Sequence, residues 1–166
     1  MILMTIYLPE VVMKLLNNVA SELNMQPEEI VSELILEKFS GDPNKKIEMY
    51  LELYKKYMED ADKLIKQGDF LQASEKIWGA AASIVKAVAL KKIGKRLASH
   101  GELREFVIRV ANETKDDEIR LLWKDALSMH TNFYENWAPP EDVVKAFESV
   151  KKFAEKLAKY AGIKLK

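Results

Sequence analysis

The segment Lys124-Asp125-Ala126-Leu127-Ser128-Met129-His130 places a cation, a carboxylate and an imidazole within two helical turns. An imidazole titrates near neutrality and can act as general acid or base, while a cation can hold a phosphate, so phosphodiester chemistry would be sought here first. Three and four residues from His130 along a helix stand Ala126, Leu127, Phe133 and Tyr134. That apolar company predicts an imidazole packed in the interior or at a dimer interface, with a backbone or Tyr134 partner. No catalytic residue is assigned on this basis, and His130, Lys124 and Asp125 are the candidates.

Binding chemistry has a second source in the basic stretch Lys86, Lys91, Lys92, Lys95, Arg96, Arg104 and Arg109, broken only by Glu102 and Glu105, with His100 beside it. Such a stretch can contact the phosphates of RNA or a nucleotide. Cations after a helix also favour its dipole, which is the purely structural reading of the same residues. A polar and aromatic cluster, Asn132, Tyr134, Glu135 and Trp137, precedes Pro139-Pro140. The candidate binding residues are therefore Lys91, Lys92, Lys95, Arg96, His100, Arg104, Tyr134 and Trp137. The remaining aromatics fall on helical stripes and belong to a core. The acidic pairs Glu28-Glu29, Asp116-Asp117 and Glu141-Asp142 stand at helix starts, where they complement the dipole, and adjacent carboxylates do not share a helix face. No metal is assigned to them.

Composition narrows the classes further. The chain has 166 residues, of which 48% are hydrophobic, enough for a full core. With 26 basic and 26 acidic side chains there is no global field toward nucleic acid or membrane, so any such binding must come from a local patch. Cysteine is absent and there are two histidines, a poor inventory for zinc and none for disulfides. No cofactor is implied. The most apolar run, Ile77 to Leu90, contains Lys86 and is too short to span a bilayer. The start lacks a signal-peptide pattern, so a cytoplasmic location without membrane association is expected. A charged fraction of 31%, few glycines and no cysteine fit the habits of thermophile proteins.

These residues must be positioned by elements legible from periodicity. Met4 to Leu8 alternate as a strand does, with Met4, Ile6 and Leu8 on one face and Thr5 and Tyr7 on the other. Pro9 suits the first turn of a helix whose stripe is Val12, Leu15, Leu16, Val19 and Leu23. A second helix follows Pro27 and ends near Gly41. Asp42-Pro43 caps the next, whose stripe runs from Ile47 to Ile65. Asp69 with Gln72 opens a helix through Ile77, Ile84 and Val88. Its run Gly79-Ala80-Ala81-Ala82-Ser83 lacks bulk, which lets neighbours approach and marks it as the bundle centre. Ser99 and Glu102 have capping-box spacing before a helix through Val110. Thr114 and Asp117 precede the helix bearing His130, and a last helix runs from Pro140 to near Gly162. The break near Gly41 to Asn44 divides the chain into an arm, 1–41, and a helical bundle, 42–166.

The stretch TIYLPEVVMKLLNNVASELNMQPEEIVSELILEKF resembles the ribbon-helix-helix module, in which strands of two chains pair over four interlocked helices. The resemblance implies a homodimerisation arm. In DNA-binding members the outward strand residues, usually basic or amide-bearing, read the major groove; here they are Leu3, Thr5 and Tyr7. Pro27, Glu28 and Glu29 also spoil the helix start that would seat a phosphate, so dimerisation is expected over DNA reading.

The larger part, with GDFLQASEKIWGAAASIVKAVALKKIGKRLASH and LLWKDALSMHTNFYENWAPPEDVVKAFESVKKFAEKL, resembles the archaeal PaREP proteins, which are similar to the HEPN superfamily. That resemblance implies a mainly α fold: an up-down bundle of about five helices, often dimeric. Members cut RNA, partner small nucleotidyltransferases or bind nucleotide or RNA without catalysis. The cutting members carry an arginine, usually followed by an asparagine or another polar residue, and a histidine four to six residues beyond the arginine. Here Lys124, Asp125 and His130 stand nearest to that pattern, with lysine for arginine and aspartate for asparagine. Lysine offers a point charge where a guanidinium holds phosphate through two bonds, and Asp125 repels phosphate. The expected function is a non-catalytic, homodimeric HEPN-like binding or interaction protein with a nucleotide or RNA surface. The alternatives are a HEPN-type ribonuclease using His130 and a DNA-binding regulator using the N-terminal segment.

Overall fold

A computed structural model describes residues 4–165, and all regular structure among them is helical. The helices are α1 (Glu10–Leu23), α2 (Pro27–Phe39), α3 (Pro43–Lys66), α4 (Phe70–Ile93), α5 (His100–Thr114), α6 (Glu118–Glu135) and α7 (Pro140–Ala161). By contacts the chain divides into two compact units, Met1–Gly41 and Asp42–Lys166.

In the first unit the expected strand is absent. Met4 to Leu8 have no regular structure, because a strand exists only through ladder hydrogen bonds and no other described residue of this chain offers a matching edge. Leu3 lies outside the described residues. Pro9 stands just before α1 rather than within its first turn, and Asn24 closes that helix in a left-handed conformation at φ 51°. The apolar stripe of α1 is only partly used. Leu16 and Val19 pack with Ala20, Met25 and Ile30, whereas Val11 and Leu15 remain mostly in solvent.

The second unit is organised by α4. Every residue from Ile77 to Ala89 is buried, and the helix contacts α3, α5, α6 and α7. A helix covered on all sides cannot be amphipathic, which is why its sequence is apolar all round rather than striped. Burial of Ile77, Ile84, Val85 and Val88, all fully enclosed, is worth about 1.5–3 kcal/mol each. Small residues set the approach of α3: a Cβ on Gly79 would lie 3.1 Å from the ring of Tyr57.

Local signals account for most helix ends. Asp42 accepts from the Asn44 amide at 2.9 Å, and Asp69 from Gln72 at 3.1 Å. Ser99 and Glu102 form a reciprocal capping box at the start of α5. Thr114 is the last residue of α5, its hydroxyl donating back to the Val110 carbonyl at 2.7 Å, and Asp116 accepts from the Glu118 amide where α6 begins. No helix among the described residues is long and apolar enough to cross a membrane.

Replacing Ala81 or Gly79 by leucine forces three or four added carbons, respectively, into a closed helix crossing, so the expected loss is about 1–3 kcal/mol. Thermal melts of each variant beside wild type provide the measurement, and an unchanged melting temperature would mean that α4 tolerates bulk where the packing leaves none.

Candidate functional site

Helices α5 and α6 form an antiparallel hairpin. At its open end His100, the first residue of α5, meets His130 near the end of α6, and at its closed end the Arg120 side chain hydrogen-bonds Asn112. Both histidines rest against Trp78 of the buried helix α4. Ring centroids are 5.3 Å apart for Trp78 and His100, 4.9 Å for Trp78 and His130, and 4.8 Å for the two imidazoles. Trp123 continues the cluster at 5.3 Å from Trp78, and Tyr134 closes it edge-on at 5.4 Å from His130.

This environment holds both imidazoles below their ordinary titration range. For His100 the main cause is burial, followed by the positive charge of Lys86; for His130 it is burial, followed by His100. The pair is therefore neutral at pH 7. Nε2 of His100 is buried without a hydrogen-bond partner.

The three residues of the catalytic candidate set diverge. A spacing of six residues turns a helix by about 600°, so Lys124 and His130 face directions roughly 120° apart. His130 enters the aromatic cluster, Lys124 lines a groove between α5 and α6, and Asp125 accepts a hydrogen bond from Ser149 of α7 at 2.7 Å. The sequence predicts an interior or interface position for His130 with a backbone or Tyr134 partner; the imidazole is half-buried and touches the rings of Trp78, His100 and Tyr134. His100 as the second member of a histidine pair had no sequence signal, since thirty residues separate the two.

The binding candidates also separate. Lys92 lies over the Tyr160 ring at 4.6 Å, and Lys95 pairs with Glu102 at 3.5 Å. Lys91 and Arg96 are exposed around the end of α4. Tyr134 and Trp137 are also exposed, whereas Asn132, two residues before Tyr134, is buried as a structural tie. Its Nδ2 donates to Ser74 Oγ at 2.8 Å, and its Oδ1 accepts from the amides of Trp137 and Ala138. Arg104 alone of the predicted set joins Lys124 in the groove.

That groove encloses about 430 Å³. Val107, Ile108, Leu121 and Leu127 supply apolar surface, while Arg104, Arg120 and Lys124 face a single carboxylate, Asp117. Asp117 lies 3.4 Å from Arg120 Nε, without hydrogen-bond geometry, whereas neither Arg104 nor Lys124 has an ion-pair partner among the described residues. Trp123 joins the groove to the histidine cluster. Among the described residues no group of three or more metal-ligating side chains occurs.

The profile of the archaeal PaREP1/PaREP8 family matches residues 49–154. A crystal structure of a protein from Sulfolobus solfataricus is similar to this fold, with a TM-score of 0.56 and 24% identity over 64% of this chain and 94% of that one. No curated protein matches the sequence.

Lowered histidine pKa values fix the sign of a pH effect. The unfolded chain takes up protons as the pH falls through the ordinary value of 6.5, whereas the native pair resists them. Stability from this source is complete above pH 6.5 and is lost as the pH falls toward the lowered native values. Melting temperatures measured from pH 8 to pH 5 are expected to fall below about pH 6.5, and less steeply when both histidines are replaced by glutamine.

Proposed function

The chain belongs to the archaeal PaREP1/PaREP8 family, and within it we propose a non-catalytic, HEPN-like binding protein that captures an anionic ligand, a nucleotide or RNA among the candidates, on the α5–α6 face and works as a homodimer. The observation that carries the binding reading is the groove itself: Arg104 and Lys124, without ion-pair partners, stand over an apolar surface beside Arg120. Ribonuclease activity draws no support from the geometry, since Lys124, Asp125 and His130 point to three different surroundings. Neither does DNA reading, because acidic Glu28 and Glu29 occupy the first turn of α2.

The homodimer rests on the first unit. Its buried apolar core is Ala20, Met25 and Ile30, while Val11, Leu15 and Phe39 are 75%, 64% and 81% exposed. A segment of this size seldom sustains a fold without oligomerisation, and a second copy of the same apolar face supplies the missing core.

Fluorescence anisotropy with labelled single-stranded RNA and calorimetry with AMP test the binding reading. For whichever anionic probe binds, affinity is expected to fall with added salt and to drop about tenfold in Lys124→Glu or Arg104→Glu, with no hydrolysis of RNA by wild type or by His130→Ala. Absence of binding to every anionic probe would overturn it, as would cleavage that disappears in both His130→Ala and Lys124→Ala.

Light scattering tests the assembly. The full chain is expected to be dimeric at micromolar concentration, and the double variant Val11→Glu/Leu15→Glu, which places charge on the exposed face of α1, is expected to be monomeric.

A further inference from the structure

We propose that the α5–α6 groove takes a small organic acid, one apolar body ending in a single anionic group, rather than a polynucleotide strand. The inference rests on the binding reading above and names its ligand class. Size is the first ground. A volume of about 430 Å³ is that of a small-molecule pocket and accommodates one compact ligand, not consecutive nucleotides.

The second ground is the chemistry of the walls. Val107, Ile108, Leu121 and Leu127 offer no hydrogen bonds to a base edge, and the acidic side chain of the groove, Asp117, already lies against Arg120. A base presents donors as well as acceptors, so its donors would go unserved on these walls. An acid head presents acceptors, which is what the groove can use.

The third ground is a pair of unsatisfied donors. Trp123 is 5% exposed and its indole Nε1 has no hydrogen-bond partner; Arg120 Nε is buried and likewise makes no hydrogen bond. Both residues line the groove. Neither donor makes a hydrogen bond within the protein, and beside these residues the unpaired cations Arg104 and Lys124 draw an anionic group into the groove. The apolar body then covers Leu121 and Leu127, whose side chains are otherwise exposed.

The indole N–H signals of the full-length protein provide a local readout. Three tryptophans give three resonances, and that of Trp123 is identified by its proximity to Phe153, at 5.8 Å between ring centroids. The probes are naphthalene-2-carboxylate, the uncharged naphthalene-2-carboxamide, AMP and inorganic phosphate. The carboxylate is expected to move the Trp123 resonance saturably, with the other three binding at least about tenfold more weakly. Lys124→Glu and Leu121→Asp, both at exposed positions, are expected to weaken it by about tenfold or more while leaving the circular dichroism spectrum unchanged.

If AMP or phosphate moves the resonance and the carboxylate does not, or the carboxamide binds as tightly, the ligand class is overturned while the anion-binding reading stands. Carboxylate binding that spares the Trp123 resonance and ignores both substitutions places the ligand elsewhere and also overturns the assignment. If no probe binds, and RNA does not either, both readings fall together.

Discussion

The burial of α4 on every side is the constraint from which the rest of the larger unit follows. A helix in that position can carry bulk only where its neighbours leave room, and at Gly79 the Tyr57 ring leaves none. Alanines along Gly79–Ser83 bring the surrounding helices close, and isoleucines and valines fill the spaces between. Polar groups on such a helix must then find partners inside the protein. Ser83 donates to the Gly79 carbonyl at 2.8 Å, Ser74 donates to Phe70 and accepts from Asn132, and the ammonium of Lys86 lies 5.6 Å from the centre of the Tyr50 ring. The two serine-to-carbonyl bonds stay within α4, whereas Asn132 ties it to α6 and Tyr50 to α3.

From α4 the order passes outward to the site. Trp78 stands on the helix that its neighbours enclose, and the histidines that lean on it from α5 and α6 meet one another there. The capping box at Ser99 and Glu102 sets where α5 begins, and hence where His100 stands. Beyond the histidines, toward the closed end of the hairpin, α5 and α6 line the groove, and Trp123 belongs both to it and to the aromatic cluster. The positions of the site residues are thus consequences of core packing, although none of the cations in the groove is part of that core.

Local rules made the helices legible. The capping signals at Asp42, Asp69 and Ser99, the small residues of α4 and the apolar surroundings of His130 each reflect interactions within a few residues or a simple volume requirement, and these are what a sequence displays. Alternation at Met4 to Leu8 is equally visible, but it states only which side chains share a face. Whether a strand forms depends on a partner edge, which one chain does not contain among its described residues. The site was legible only in pieces. Runs of like charge such as Lys91 to Arg96 attract the eye, yet Lys92 and Lys95 are engaged with Tyr160 and Glu102. The histidine pair and the joining of Arg104 with Lys124 arise from the α5–α6 hairpin, a relation between distant positions that no local pattern encodes.

Charge pairing elsewhere in the molecule gives the groove its meaning. Lys56 lies 2.7 Å from Asp60, Arg109 2.7 Å from Glu113 and Lys156 2.6 Å from Asp116, as expected for a chain with equal numbers of acids and bases. Exposed pairs of this kind contribute about 1 kcal/mol or less, so leaving a cation unpaired is not itself a large loss of stability. Its consequence is electrostatic. An unpaired cation beside low-dielectric apolar walls keeps a field that a neighbouring carboxylate would cancel, and that field is strongest where water is partly excluded. Arg104 of α5 and Lys124 of α6 stand in that setting, with Arg120 and Trp123 in the same walls. Packing alone gives no reason for unpaired cations to gather over one apolar surface, and the proposed anion would supply one.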